Sequence, residues 1–212
     1  MTGRYFALVL TSIILAVTSV GATSFFDLLQ LSAGEEDAPL AVTLELPMDS
    51  VYAKTPYEQD AWFSFVDNTG LAQRRPLHVD VRGKFRRRIC TFPPLKLNFF
   101  KKDLKSIGLE KKYDKLKLVT PCLEDEEGQN LVLREYVAYR LLNQLSPASF
   151  RVQLLEITYR DTNGNFPDQT RFAFIIEDTD EMAARVGGKE LDEILGLGPD
   201  RFDRRFEVIQ AR

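Results

Sequence analysis

Residues 79–100 read VDVRGKFRRRICTFPPLKLNFF and carry the clearest structural pattern in the chain. The first part alternates apolar and polar residues as far as Arg82, and Gly83 then gives the backbone the freedom that a sharp turn needs. After the proline pair, the apolar side chains of residues 95–99 share one face and Lys96 lies on the other. The pattern predicts two strands joined by a tight turn. The turn carries a dense set of cations: Lys84, Arg86, Arg87 and Arg88.

Clustered guanidinium groups beside a glycine turn favour an anion or phosphate site. Arginine binds carboxylate and phosphate oxygens in pairs, and backbone N–H groups in such turns can add to the site. The alternative is a basic hairpin that is simply solvated, since charged side chains are mostly exposed. The residues alone leave both interpretations open.

Composition limits the class of protein. The chain has 212 residues, 44% of them apolar, which is enough for one packed domain and a fragment of another. Its net charge is −3, so the basic turn is a local feature of an acidic protein, which argues against general nucleic-acid binding. Two cysteines and His78 do not make a zinc site. A secreted hydrolase also lacks support, because no nucleophile elbow or Ser–His–Asp arrangement is evident.

The N-terminus predicts export. Residues 1–22 combine Arg4, an apolar run and small residues before Ala22, which is the pattern of a cleaved secretory signal peptide. The expected location is therefore secreted or periplasmic. A retained anchor is the alternative, although the apolar run is shorter than the ~20 residues of a spanning helix. Contact with a membrane is expected only through an uncleaved signal segment. Residues 23–39 lack periodicity and are predicted to form a linker.

Cys90 and Cys122 are the two cysteines of the chain. In an oxidising compartment an even number of cysteines favours a disulfide, which would tie the basic turn to the strand predicted at residues 115–120. Closing a loop of this length stabilises the fold by roughly 3–4 kcal/mol in the chain-entropy model. Two free buried thiols are the alternative.

Residues 40–186 predict one α+β domain. Residues 131–145 predict a long helix that is apolar almost all round, which favours burial on more than one side. Residues 150–177 predict a β-hairpin around a strong turn. Residues 187–212 predict the start of a C-terminal helical part whose last helix is still running at the final residue. We therefore expect a C-terminally incomplete domain with a mostly antiparallel sheet packed on one long helix.

Five short stretches carry a family resemblance through their order in the chain. They are VRGKFRR (81–87), FPPLKLNF (92–99), KLKLVT (115–120), LREYVAYRL (133–141) and FIIED (174–178). In this order they resemble the CotH kinase family, the spore-coat kinase-like proteins and the secreted bacterial proteins related to them. The match spans about residues 77–186, and it implies the smaller lobe of a protein-kinase-like fold.

The resemblance also implies roles for particular residues. The turn over the nucleotide phosphates would consist of Arg82, Gly83, Arg86 and Arg87. Lys96 would contact these phosphates and Glu135 would hold Lys96, like the lysine and glutamate pair of protein kinases. Glu177 and Asp178 would lie in the hinge between two lobes, where backbone groups could meet an adenine ring. The implied cofactors are ATP and Mg²⁺.

Two departures from the family put this activity in doubt. The family's turn usually continues with Asn and small residues, whereas this chain has a lysine, a phenylalanine and three arginines at residues 84–88. The larger lobe, with its catalytic and metal-binding aspartates, is absent, and phosphoryl transfer needs such carboxylates to hold Mg²⁺. The residues present are therefore not expected to be catalytically competent.

Two hypotheses of function follow. The first is an exported CotH-like atypical kinase or pseudokinase, which would bind ATP and phosphorylate protein hydroxyls only if the missing lobe were supplied. The second is a non-catalytic protein of the bacterial envelope that uses the basic hairpin to bind an acidic partner or a surface glycan. A paired Lys96 and Glu135 beneath the turn would favour the first hypothesis. Separate side chains and exposed arginines would favour the second.

Overall fold

A computed structural model describes residues 23–35 and 38–190. The predicted signal peptide and residues 191–212 of the predicted C-terminal part lie outside the described residues. The described strands are β1 (Leu40–Leu46), β2 (Gln59–Val66), β3 (Ala72–Val81), β4 (Leu95–Phe99), β5 (Lys115–Val119), β6 (Val152–Asp161) and β7 (Gln169–Ile176). The described helices are α1 (Phe25–Ala33), α2 (Met48–Tyr52), α3 (Arg86–Ile89), α4 (Lys101–Ser106), α5 (Glu126–Leu145) and α6 (Thr179–Arg185).

The seven strands form a closed barrel in the order β1-β2-β3-β4-β5-β7-β6. Neighbouring strands are antiparallel except β1 and β6, which run parallel with Leu40 opposite Leu155. The expected fold, a sheet packed on one long helix as in a kinase small lobe, is therefore wrong. The β1–β6 pairing leaves the sheet no free edge, and closure places the apolar face of every strand inside the barrel.

The barrel interior is filled by alternating apolar side chains. On β4 the predicted pattern is confirmed, because Leu95, Leu97 and Phe99 are buried while Lys96 and Asn98 face outward. The predicted hairpin of residues 150–177 is also confirmed as the antiparallel pair β6–β7.

Helix α1 occupies part of the segment that we expected to be a linker. A capping box begins it: the Ser24 Oγ accepts from the Asp27 N–H at 3.0 Å, and the Asp27 carboxylate accepts from the Ser24 N–H at 3.1 Å. Its fully buried side chains are Phe25, Phe26 and Leu29. The Phe25 ring lies 4.2 Å from the ring of Phe99 between centroids. Because this apolar face completes the barrel core, the segment is part of the folded unit.

Helix α5 lies on the outside of the barrel. It begins earlier than expected, where Asp125 caps it by accepting from the Gly128 N–H at 2.8 Å. Val132 and Tyr136 pack with Phe174 of β7 in a second apolar cluster, separate from the barrel interior. The expected burial of this helix on more than one side is wrong, because a helix on the outer surface of a barrel has a single supported face. Its exposed apolar side chains are Leu131, Val137, Leu141, Leu142 and Leu145.

Candidate functional site

The loop between β3 and β4 holds the basic residues that the sequence singles out. Gly83 adopts φ +83°, a left-handed conformation that side chains with a Cβ rarely take, so it provides the predicted sharp turn. The helical turn α3 follows at once and contains three arginines in a row. Where the sequence predicted a tight turn between two strands, the structure has a longer loop that contains the short helix α3.

The predicted disulfide between Cys90 and Cys122 is confirmed, with the two Cα atoms 4.5 Å apart. The Thr91 N–H also donates to the Cys122 carbonyl oxygen at 3.0 Å. These two links hold the end of the basic loop against the segment that leads into α5.

Lys96 does not meet Glu135. The Lys96 Nζ lies 3.5 Å from an Asp80 carboxylate oxygen on the neighbouring strand and 3.8 Å from a Glu58 carboxylate oxygen. Glu135 on α5 instead accepts from Arg86 at 3.1 Å. The pair that the nucleotide interpretation requires is therefore not formed. The reason is geometric: strand alternation directs Lys96 to the outside of the barrel, beside carboxylates of β3 and of the segment before β2.

Arg82, Arg86 and Lys117 form what we call the basic cluster. Arg82 follows β3 and Lys117 lies on β5, and both side chains are half-buried. Burial, and after it the charge of Arg86, lowers the pKa of Arg82. Burial, and after it the charge of Arg82, lowers the pKa of Lys117, while the carboxylates of Glu190 and Asp178 act in the opposite sense. Arg82 is therefore repelled by Arg86, with Tyr139 and Glu135 acting in the opposite sense, and Lys117 is repelled by Arg82.

The positive charges of the basic cluster are only partly compensated by carboxylates of the described residues. Arg86 has Glu135 as its ion-pair partner, but no carboxylate of the described residues lies within ion-pair distance of Arg82 or Lys117. The Lys117 Nζ donates to the Thr179 hydroxyl at 3.1 Å and lies 5.1 Å from the centre of the Phe150 ring. A hydroxyl group and an aromatic ring both stabilise a cation less than a carboxylate does.

Lys117 was not identified as a site residue from the sequence. Its strand was predicted, and the alternation in KLKLV placed it on the face opposite the leucines. The missing information was the pairing of the strands, which sets Lys117 directly opposite Lys96. Like charges at facing positions destabilise a sheet. Asp80 and Glu58 compensate the charge of Lys96, whereas Lys117 has no ion-pair partner among the described residues.

The remaining cations of the loop point elsewhere. Arg87 directs its guanidinium to the Thr55 carbonyl oxygen at 3.4 Å, and Lys84 and Arg88 are exposed. Of the arginines predicted to cover phosphates, the structure brings Arg82 and Arg86 together and directs Arg87 away.

The residues predicted as a hinge have structural partners instead. Glu177 is fully buried and accepts hydrogen bonds from Arg151 and Arg185. Asp178 caps α6 by accepting from the Asp180 N–H at 2.8 Å. Both carboxylates therefore fix the start of α6 to the barrel.

A cluster of acids around Arg151 joins α1 and α6 at one end of the barrel. The guanidinium of Arg151 bonds to Asp27 at 2.9 Å, to Glu181 at 2.6 Å and to Glu177. The Ser24 hydroxyl donates to Glu181 at 2.7 Å. Burial, the largest influence, raises the pKa of Glu181 to about 7. This cluster was missed in the sequence because its members come from three segments that are far apart in the chain: residues 24–27, residue 151 and residues 177–181.

No group of His, Cys, Asp and Glu within residues 23–35 and 38–190 is arranged to hold a metal ion. Across the same residues, no helix has the length and apolar character needed to cross a membrane. No protein-family model matches the chain, and no curated protein matches it either. The resemblance to the CotH family thus stays a prediction from the quoted residues. A proposal of function therefore rests on the geometry of the site.

Proposed function

We propose that the protein is an exported, non-catalytic binding protein that takes an anionic group of an acidic partner at the basic cluster of Arg82, Arg86 and Lys117. The ligand chemistry is a carboxylate, phosphate or sulfate group, as found on an acidic protein or a surface glycan of the bacterial envelope. Export is supported by the signal-like residues 1–22 and by the disulfide, which is typical of oxidising compartments.

The observation that carries the proposal is the charge imbalance at Arg82 and Lys117. Half-buried cations are normally paired, because removing a charge from water is costly unless an opposite charge compensates it. Burial lowers the pKa of both cations, the charge of Arg82 lowers the pKa of Lys117 further, and no described carboxylate lies within ion-pair distance of either. The protein has 31 acidic residues, so carboxylates are not scarce. An anion supplied by a partner would remove the repulsion.

The arrangement also suits selective binding. Glu135 holds Arg86 at 3.1 Å, which positions one guanidinium beside the site. The disulfide and the φ +83° turn at Gly83 fix the loop that carries it. A partner therefore meets cations that are already placed, which lowers the entropy cost of binding.

Among the described residues, the lysine–glutamate pair that binding of ATP with Mg²⁺ would use is not formed. Lys96, which would contact the phosphates, lies beside Asp80 and Glu58, and Glu135, which would hold Lys96, pairs with Arg86. ATP binding and phosphoryl transfer stay predictions, and a thermal-shift measurement with ATP and Mg²⁺ can test the binding.

The proposal is tested by fluorescence anisotropy with two labelled probes, an octaglutamate peptide and a sulfated octasaccharide. A hydrogen bond to a charged group contributes roughly 1.5–3 kcal/mol, so Arg82→Met or Lys117→Met should weaken binding about tenfold or more. Lys115→Met is the matched control, because Lys115 lies on the same strand and is exposed. The preferred probe identifies the class of partner.

The salt dependence gives a second readout. Binding is measured at about 50 and about 200 mM salt. The affinity should be lower at the higher salt concentration, because screening weakens contacts between charges. If neither probe binds, or if Lys115→Met weakens binding as much as Lys117→Met does, the basic cluster is not the binding site.

A further inference from the structure

The outer face of the barrel carries a shallow hollow, with a volume of about 440 Å³, that is lined by residues of β1, β2, β3 and β6. Small side chains lie along its bottom, among them Ala41, Thr43, Ser64 and Ala72. Glu156 lines this hollow and also a second one of about 530 Å³, which extends towards the start of α5. The two hollows meet at Glu156 and together form a groove across the strands, which we call the outer groove.

Hydroxyl side chains follow one another along the outer groove in a row. Strand pairing sets Thr170 of β7 opposite Thr158 of β6, and Thr158 opposite Thr43 of β1. Thr43 in turn lies opposite Ser64 of β2, and Ser64 lies opposite Arg74 of β3. Because neighbouring strands are about 4.8 Å apart, this row of five residues spans about 19 Å.

Much of the hydrogen-bonding capacity of the outer groove is unused within the described residues. The hydroxyl groups of Thr158 and Thr170 bond to each other at 2.8 Å. The side chains of Thr43, Ser64 and Glu156 have no hydrogen-bond partner among the described residues. A hydroxyl group donates and accepts, and a carboxylate accepts, so the groove suits a ligand that offers both kinds of group.

The charges beside the outer groove disfavour a second anion site. Arg74 pairs with Glu45 at 2.8 Å, and Arg171 pairs with Glu124 at 3.2 Å. The carboxylate of Glu156 has no ion-pair partner among the described residues and would repel a phosphate or sulfate group. The groove therefore differs in ligand chemistry from the basic cluster and favours a ligand without negative charge.

An aromatic ring borders the row of hydroxyl groups. Trp62 lies on the outer face of β2 and is 38% exposed, with the Arg74 guanidinium 4.0 Å from the centre of its ring. Across the strand pair, Trp62 faces Pro76 of β3. An exposed ring of this kind contacts the apolar C–H groups of a sugar, while neighbouring hydroxyl groups bond to the hydroxyl groups of the same sugar.

A peptide that adds as a further strand does not fit this surface. The strands β6, β1 and β2 have a paired neighbour on both sides, so their backbone N–H and C=O groups already bond within the barrel. A pyranose unit of a linear glycan is about as long as the spacing of two strands, so about four units match the row. We infer that the outer groove binds a linear, uncharged oligosaccharide. This site goes beyond the proposed anion binding and does not depend on it.

Titration with cellopentaose, N-acetylchitopentaose and maltopentaose, followed by the emission of Trp62, tests the inference. Trp62 is the single tryptophan of the chain, so a change in emission reports binding at this face. At least one of the three sugars should give a saturable change. Its affinity should be the same at about 50 and about 200 mM salt, because an uncharged ligand makes no ionic contacts.

Two results of this titration would overturn the inference. The first is an unchanged emission with all three sugars. The second is a response to an uncharged peptide of Gly, Ser and Gln residues of similar length but to none of the sugars, which would make the groove a peptide site.

Variants of the groove locate the bound sugar. Thr43→Val with Ser64→Ala removes two hydroxyl groups with little change of shape and should weaken binding about tenfold. Ala41→Gln fills the bottom of the groove with a neutral side chain and should also weaken binding. Thr162→Val, which removes an exposed hydroxyl group outside the groove, is the control and should keep the wild-type affinity. Wild-type affinity in both groove variants would place the sugar elsewhere and overturn the inference.

Discussion

Glu181 is expected to make the stability of the protein depend on pH, and Glu181→Gln should remove that dependence. The side chain is 6% exposed, accepts from Ser24 at 2.7 Å and from Arg151 at 2.6 Å, and shares Arg151 with Asp27 and Glu177. Its second carboxylate oxygen is buried without a hydrogen-bond partner. A neutral amide has the same shape and keeps the oxygen that accepts both bonds.

The magnitude follows from the pKa of Glu181, which rises from 4.5 to about 7 on folding, chiefly through burial. Each pKa unit corresponds to about 1.4 kcal/mol, so the group contributes at most ~3 kcal/mol. Because the folded pKa is raised, this stabilisation is fully present below the unfolded value of 4.5 and is lost as the pH rises through about 7. The pKa of Asp27 is lowered despite its burial, through bonds from Thr23 and Arg151, so its contribution changes only at pH below 3.8.

Urea unfolding at pH 5 and pH 8, followed by Trp62 fluorescence, measures this effect. The wild-type chain should lose about 2–3 kcal/mol more than Glu181→Gln between the two pH values. Glu156→Gln, an exposed change on β6, is the control and should keep the wild-type dependence. If the wild-type chain and Glu181→Gln lose the same free energy of unfolding, the buried carboxyl does not titrate in this range and the reasoning is refuted.

Two further changes test the fold. Replacing Cys90 and Cys122 together by Ser opens a loop with a sequence separation of 32 and should lower the free energy of unfolding by about 4 kcal/mol in the chain-entropy model. An unchanged denaturation midpoint under non-reducing conditions would contradict it. Phe25→Ala should cost about 3–5 kcal/mol, because it empties a fully buried position against the barrel. Leu31→Ala, on the exposed side of the same helix, should cost less than ~1 kcal/mol. Equal costs for the two would mean that α1 is not part of the core.

Local elements of this fold follow from the sequence, whereas its closure does not. The alternation in LKLNF sets Leu95, Leu97 and Phe99 inward, and it already places Lys96 on the outer side. The resemblance to a kinase lobe implied that Lys96 pairs with Glu135, but on the outer side Lys96 meets Asp80 and Glu58. The pairing of β1 with β6 joins strands that are far apart in the chain, and no local pattern encodes it.

Two helices show where the pattern was readable and where it was not. The Ser24–Asp27 capping box and the following aromatic pair predict a helix start, so α1 could have been recognised. For α5, a sequence that is apolar almost all round favoured burial on more than one side, but the barrel offers the helix one surface. The basic cluster could also be predicted only in part. Arg82 and Arg86 are neighbours in the sequence of one loop, whereas Lys117 comes close to them only because β4 pairs with β5.

The most direct test of the central claim is an NMR titration of the Lys117 ammonium group, with and without a saturating amount of the octasaccharide or octaglutamate probe. In the free protein, the account predicts a pKa of Lys117 below 10.5, because burial and the charge of Arg82 disfavour the protonated form. With the anion bound, the pKa should rise, while the exposed Lys115 serves as the internal reference. A pKa of Lys117 that is the same with and without either probe would contradict anion binding at the basic cluster.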